Sequence, residues 1–310
     1  MAQIDVITGR CPKCGEQLEI PAHLKQFSCM YCGTRLTPSE LTDDSAAPNA
    51  PAVDGTASAA FYRKHVLGVI TNHPGIEKKM TRSDFVPAFE QYSQSNEEIF
   101  RQLDAAVSAG AITLEDAADF FLDQLETRWE QEASWKASRS ALMDTDKFVI
   151  AVFLVPMIRR MELKTSEEYC RLLQAHWCSR HPKSPFYLGN YEELAGGFRK
   201  KFLGLCFITT AVCLQAGKPD DCPELTAFRA FRDGYLRACP DGPALIEEYY
   251  NVAPGIVLRI DLSRDREARY EAIRENWLAP CYADIQAGNL HRCKERYVEM
   301  VRSLEKEYLS

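Results

Sequence analysis

The residues best equipped for chemistry are four cysteines near the N-terminus. Cys11-Pro-Lys-Cys14-Gly and Cys29-Met-Tyr-Cys32-Gly are two CxxCG hooks separated by fourteen residues. Each pair of thiols brackets a tight turn. The glycine that follows, Gly15 or Gly33, can take the positive φ that aims backbone amides at sulfur. Together the hooks supply a closed tetrahedral shell, which suits a structural Zn²⁺ and leaves no position open for substrate. Iron in a rubredoxin-like site uses similar hooks, and cysteines that fall at this doubled spacing by chance are the bland alternative. A module this small has little core of its own, so metal binding and folding are expected to be one event.

The intervening segment GEQLEIPAHLKQFS has the alternating texture of a β-hairpin limb, and His23 within it reads as a surface residue. Arg10, Lys13, Lys25 and Arg35 stand against Asp5, Glu16 and Glu19. That balance offers no basic stripe to release counterions from a phosphate backbone. A protein partner is therefore expected for the ribbon, and nucleic-acid binding ranks below it.

A second group of reactive side chains lies in Cys206-Phe-Ile-Thr-Thr-Ala-Val-Cys213. On a helix Cys206, Thr209, Thr210 and Cys213 fall at i, i+3, i+4 and i+7, hence on one face. Buried cysteines behave as small hydrophobes and helical threonines bond back to the i−4 carbonyl, so packing is the first reading. A nucleophile at Cys206 is the alternative. It needs a histidine, a cation or a helix N-terminus to lower the thiol pKa. His176, His181 and His291 are available, but none sits in a recognisable signature, and Cys206 is expected in mid-helix. A cysteine-dependent enzyme therefore ranks below a non-enzymatic protein. A second metal site drawn from Cys206, Cys213, Cys222 and Cys239 lacks the hook spacing. No GxxxxGK[ST], GxGxxG, HExxH or GxSxG motif is present, which removes the common phosphate-loop, dinucleotide, zincin and hydrolase readings.

The elements that must carry these groups follow from composition and periodicity. Residues 1–36 form the compact ribbon. Residues 37–58 lose almost all large apolar side chains and gain Pro, Ala, Ser and Asp, as a flexible linker does. From 59 to 310 apolar residues recur every three or four positions, and about nine or ten helices are expected. Start signals include Thr113 with Asp116, Thr165 with Glu168, Asn190 with Glu193, and Asp221 with Glu224 behind Pro223. Stop signals include Gly110, Pro182, Gly217 and Gly288. Mainly α architecture follows: a small β ribbon and a multi-helix bundle.

Two apolar runs, 148–158 and 202–214, fall short of the roughly 20 residues that span a bilayer and are flanked by charges, so both are expected in the core. A net charge of −7 argues against bulk nucleic acid or an anionic membrane as main partner. Met1 to Arg10 has neither the basic start nor the apolar stretch of a secretory signal. Twelve cysteines then fit a reducing cytoplasm better than a disulfide framework.

Three segments in order carry a resemblance: Cys206-Phe207-Ile208, Phe231-Arg232-Asp233-Gly234-Tyr235-Leu236, and Tyr249-Tyr250-Asn251-Val252-Ala253-Pro254. Over roughly residues 200–260 the chain resembles the bacterial CFI-box C-terminal domain. The resemblance implies a helical domain and no particular reaction. The commoner box has alanine where Thr209 stands and no thiol at Cys213, so no role is implied for those two. Physically, a helix bearing Leu225, Phe228, Arg232 and Tyr235 can pack on the Cys206 helix. Arg232 would then donate to helix ends or carboxylates, with the Tyr250 hydroxyl in the same region. The candidate binding residues are thus Cys206, Thr209, Thr210, Arg232 and Tyr250, as a polar cluster that is either a buried structural network or a pocket for a protein or small ligand.

Overall fold

Short strands with alternating burial build the N-terminal module. The computed structural model describes residues 6–41, 54–199 and 206–310, which fall into two compact units, Met1–Val53 and Asp54–Ser310. In the first, β1 (Val6–Arg10) pairs antiparallel with β2 (Gln17–Pro21), with Ile7 opposite Ile20 and Gly9 opposite Leu18. A second pair joins β3 (Phe27–Ser28) to β4 (Arg35–Leu36). Leu18 and Ile20 turn inward while Gln17 and Glu19 face water, the period-2 pattern of a one-sided sheet. Among the described residues its apolar core is Leu18, Ile20 and Leu36 with Cys11 and Cys29.

Of the segment expected as linker, residues 42–53 lie outside the described residues. At its start Pro38–Glu40 makes one 3₁₀ turn, capped where the Glu40 carboxylate accepts from the Thr37 amide at 2.6 Å. At its end a helix already begins at Gly55, because the Asp54 carboxylate accepts from the amides of Thr56 and Ala57.

The second unit is all helix among the described residues. Its first part contains α1 (Gly55–His65), α2 (Gly68–Thr71), α3 (Phe85–Ser108), α4 (Leu114–Glu132), α5 (Lys136–Val149), α6 (Val155–Arg160), α7 (Ser166–Arg180) and α8 (Tyr191–Arg199). Its second contains α9 (Phe207–Gln215), α10 (Pro223–Ala230), α11 (Gly242–Asp261), α12 (Arg266–Ile273), α13 (Ala279–Gln286) and α14 (Leu290–Tyr308). Three π-helical turns, Ile150–Leu154, Phe231–Leu236 and Arg274–Leu278, extend or join these segments. The segments therefore divide more finely than the expected nine or ten helices, since a π turn inserts one residue without breaking the helix.

Several boundary signals act as the sequence suggests. Thr113 accepts from the Asp116 amide at 3.0 Å and Asn190 from the Glu193 amide at 2.8 Å. Gly110, Gly217 and Gly288 take φ near +70° and end α3, α9 and α13. Thr165 behaves differently. Its hydroxyl donates to the Asp104 carboxylate at 2.8 Å instead of capping α7.

Two apolar cores result. The first gathers Phe85, Phe89, Phe100, Phe153, Trp129 and Trp177. The run 148–158 is wholly buried there, and no described helix is long and apolar enough to cross a membrane. The second gathers Ile208, Phe228, Tyr249, Ile256, Met300 and Leu304. At the seam Arg82 donates its amide to the Asn251 carbonyl at 2.9 Å, and Leu258 of α11 reaches into the first core.

Gly255 makes that approach possible. A Cβ there would stand 2.1 Å from the Met80 carbonyl oxygen. Gly255→Ala should therefore destabilise the unit by about 1–3 kcal/mol. Gly196→Ala, whose Cβ would meet nothing within 4 Å, should gain about 0.5–1 kcal/mol from helix propensity. Thermal and denaturant unfolding of the two variants checks this, and equal effects would refute the packing account.

Candidate metal centre and the Cys206–Arg232 cluster

In the ribbon both hooks close identically. The Gly15 amide donates to the Cys11 carbonyl at 2.8 Å and the Gly33 amide to the Cys29 carbonyl at 2.8 Å. The Cys11 amide reaches Glu16 and the Cys29 amide reaches Thr34, at 2.9 and 2.8 Å. Gly15 and Gly33 take φ of 77° and 71°, where a side chain would be strained.

These turns bring all four ligand sulfurs within 4.8 Å of one another. Cys11 and Cys32 lie 3.8 Å apart, and Cys14 and Cys29 lie 3.7 Å apart. A tetrahedron of sulfurs about 2.3 Å from a central ion has edges of about 3.8 Å, so the spacing suits a thiolate-bound metal ion.

The thiols do not share one acidity. The hydroxyl and amide of Thr34 pull Cys32 down to about 6. At Cys14 a backbone hydrogen bond from Glu16 acts downward, but burial and the facing thiols outweigh it and push the group up to about 12. Four sulfurs this close cannot all ionise by themselves, and a divalent cation at their centre removes that obstacle.

In the helical unit, Cys206 sits at the N-terminal boundary of α9, with φ −102° and ψ 76°, and not in mid-helix. Its carbonyl accepts from the Thr210 amide at 2.6 Å, as the first acceptor of the helix. The apolar periodicity of 202–214 conceals this start, because no capping side chain marks it. Residues 202–205 lie outside the described residues.

Arg232 comes to Cys206 from the π turn after α10. Its Nη1 lies 3.5 Å from the Cys206 sulfur and 3.3 Å from the Tyr250 hydroxyl oxygen. Its Nε and Nη2 form a two-pronged pair with Asp233 at 2.9 and 2.7 Å. The expected cluster of Cys206, Arg232 and Tyr250 is therefore assembled, although the carboxylate that holds Arg232 is its own neighbour in sequence.

Thr209 and Thr210 do not join it. The Thr209 hydroxyl faces Tyr297 at 3.3 Å, and the buried Thr210 oxygen has no hydrogen-bond partner among the described residues. Two tyrosines take their place. Tyr249 accepts from the Ile208 amide at 3.0 Å, closing the start of α9, and Tyr297 packs beside it with ring centroids 6.0 Å apart. Nothing local in the sequence marks these contacts, since they join positions 41 and 88 residues apart. Around the cluster lies a narrow apolar pocket walled by Phe228, Phe231, Leu236, Tyr249, Tyr297 and Val301.

The electrostatics of Cys206 are those of a thiol. Burial raises its pKa, and the nearby Arg232 and Arg229 only partly offset this. The three histidines weighed as activating partners lie against carboxylates: His176 at Asp119, His181 at Glu126 and His291 at Glu295. Cys213 and Cys222 pack with Cys206 and Leu225, and burial with the Cys222 contact pushes Cys213 up to about 12. Among the described residues the four ribbon cysteines alone make a group of three or more possible metal ligands.

No family model, curated protein or solved structure matches this chain.

Within the helical unit, thiol labelling of the native protein at neutral pH should modify the partly exposed Cys178 and Cys239 first. Cys206 should react slower by on the order of tenfold or more. Equal rates would show that the thiol is exposed or activated.

Proposed function

We propose that this is a non-enzymatic adaptor protein, with a structural zinc ribbon that docks onto a protein partner and a helical domain that binds a protein or small ligand. The observation that carries the docking role is the tip of the second hook. Met30 and Tyr31 stand between Cys29 and Cys32 and are 76% and 61% exposed. Methionine and tyrosine are enriched at protein interfaces, and a rigid metal-closed turn presents them at little conformational cost. The ribbon's charged residues nearly cancel, which favours a protein over a nucleic acid.

Zinc is the ion this reading assigns, because four thiolates at tetrahedral spacing suit it and a closed shell suits a structural role. Cys11, Cys14, Cys29 and Cys32 would hold it, and its charge would keep the four sulfurs ionised.

Within the helical unit, the meeting of Cys206, Arg232 and Tyr250 supports reading the three CFI-box-like segments as parts of one site. The adjoining apolar pocket is narrow and would take a small nonpolar group of a ligand. Cysteine chemistry at Cys206 is the second reading and rests on the Arg232 contact alone. Burial of the thiol counts against it.

Two measurements test the proposal. The purified full chain should carry one zinc per molecule, and Co²⁺ exchange should produce the absorption of a tetrahedral thiolate site, both lost in Cys29→Ala. Iron in place of zinc would overturn the metal assignment. The double variant M30A/Y31A should keep its metal yet lose partner capture by about 2 kcal/mol, roughly thirtyfold in affinity. Capture unchanged by that variant, or salt-sensitive retention on oligonucleotides in its place, would overturn the docking role.

A further inference from the structure

Arg259, in the last turn of α11, faces an open cleft of about 1430 Å³ at the seam between the two apolar cores. Its guanidinium carbon lies 4.6 Å from the centre of the Phe148 ring. Among the described residues it makes no hydrogen bond and no ion pair.

The other charges around the cleft are already matched. Asp144 binds Arg264 at 2.9 Å and faces the buried Lys147 at 3.9 Å. Asp265 binds Arg269 at 2.6 Å, and Glu307 and the Tyr308 hydroxyl take the same guanidinium at 3.3 and 2.7 Å. Glu77, Tyr308 and Asp144 act on Arg259 only through space, against the like charge of Arg269. Ser140, Thr145 and Ser263 also line the cleft.

A cation in the last turn of a helix is favourable. That accounts for a positive charge at this position, but not for a planar fork that faces the cleft with no hydrogen bond to a described residue. Stacking on Phe148 removes water from one face of the guanidinium and fixes its plane. Burial lowers its pKa, and the more distant Glu77, Tyr308 and Asp144 only partly offset that desolvation.

We propose that Arg259 anchors a binding site for the oxyanion of a small molecule, a carboxylate or phosphate group, in this cleft. The free edge of the guanidinium takes two oxygens in parallel hydrogen bonds. Phe148 holds the fork in place, and among the described residues Arg259 is the charged group of the wall that has no direct ion pair. The site lies apart from the Cys206 cluster and does not depend on the adaptor reading.

The test is calorimetric titration of the full chain with inorganic phosphate and, separately, with acetate. At least one should bind saturably and more weakly as salt is raised. Arg259→Gln should weaken that binding by about tenfold or more, while Arg302→Gln, on a residue paired with Glu248, should leave it unchanged. Binding by phosphate alone or acetate alone identifies which oxyanion the site takes. Should Arg259→Gln fail to fold by circular dichroism, Arg259→Lys decides, because it keeps the charge and loses the fork; weakened binding supports the site. No saturable binding of either anion, or undiminished binding in the folded variant, overturns it.

Discussion

Helix α11 lies against the Met80 backbone only because Gly255 has no side chain, and both candidate sites of the helical unit hang from that helix. Tyr249 and Tyr250, toward its N-terminal half, reach the start of α9 and the guanidinium of Arg232. Arg259, one turn beyond Gly255, reaches Phe148 of the first core. Pro254 beside the glycine removes one backbone donor from the helix interior, which an isolated helix tolerates poorly. Close packing at Met80 offsets that weakness. A methyl group at 255 would disturb the seam and, through α11, the orientation of the groups at both ends.

The cysteines show how environment sets the role of one side chain. In the ribbon, hooks built from local turns crowd four sulfurs together, so ionisation there depends on a cation at the centre. In the helical unit Cys206, Cys213 and Cys222 share a small apolar cluster, and burial keeps the Cys206 and Cys213 thiols protonated. The start of α9 adds the favourable end of a helix dipole at Cys206. Desolvation outweighs it, because the thiol is buried in that small cluster with Leu225. A helix terminus next to a cysteine is therefore not sufficient for a reactive thiolate.

What was legible in the sequence was whatever is decided within a few residues. The hooks, with Gly15 and Gly33, need only a turn and two thiols, and the caps at Thr113 and Asn190 need only one side chain and one amide. The boundary at Cys206 was hidden, because the apolar pattern of 202–214 runs across it and its closing partner, Tyr249, comes from far along the chain. The π turns carry no periodic signal, since each adds one residue to an otherwise regular helix. Thr209 and Thr210 share a face with Cys206 on an ideal helix, but tertiary packing sends one toward Tyr297 and leaves the other unpaired. Arg259 reads in sequence as an ordinary basic residue at a helix end. Its lack of an acceptor exists only in three dimensions.

Arg232 and Arg259 make the final comparison, since both are desolvated guanidiniums on or beside α11. Arg232 is 6% exposed and has its charge matched by Asp233 in a two-pronged pair, with the remaining prong spent on Cys206 and Tyr250. A guanidinium in that state has little left to offer a ligand, and its contribution is to fix the π turn against α9 and α11. Arg259 is equally constrained by its stacking partner but has no carboxylate of its own. Half-burying an arginine without a direct carboxylate partner costs desolvation that more distant charges only partly offset. The difference therefore separates an arginine that completes the fold from one whose binding capacity is left for something outside the chain.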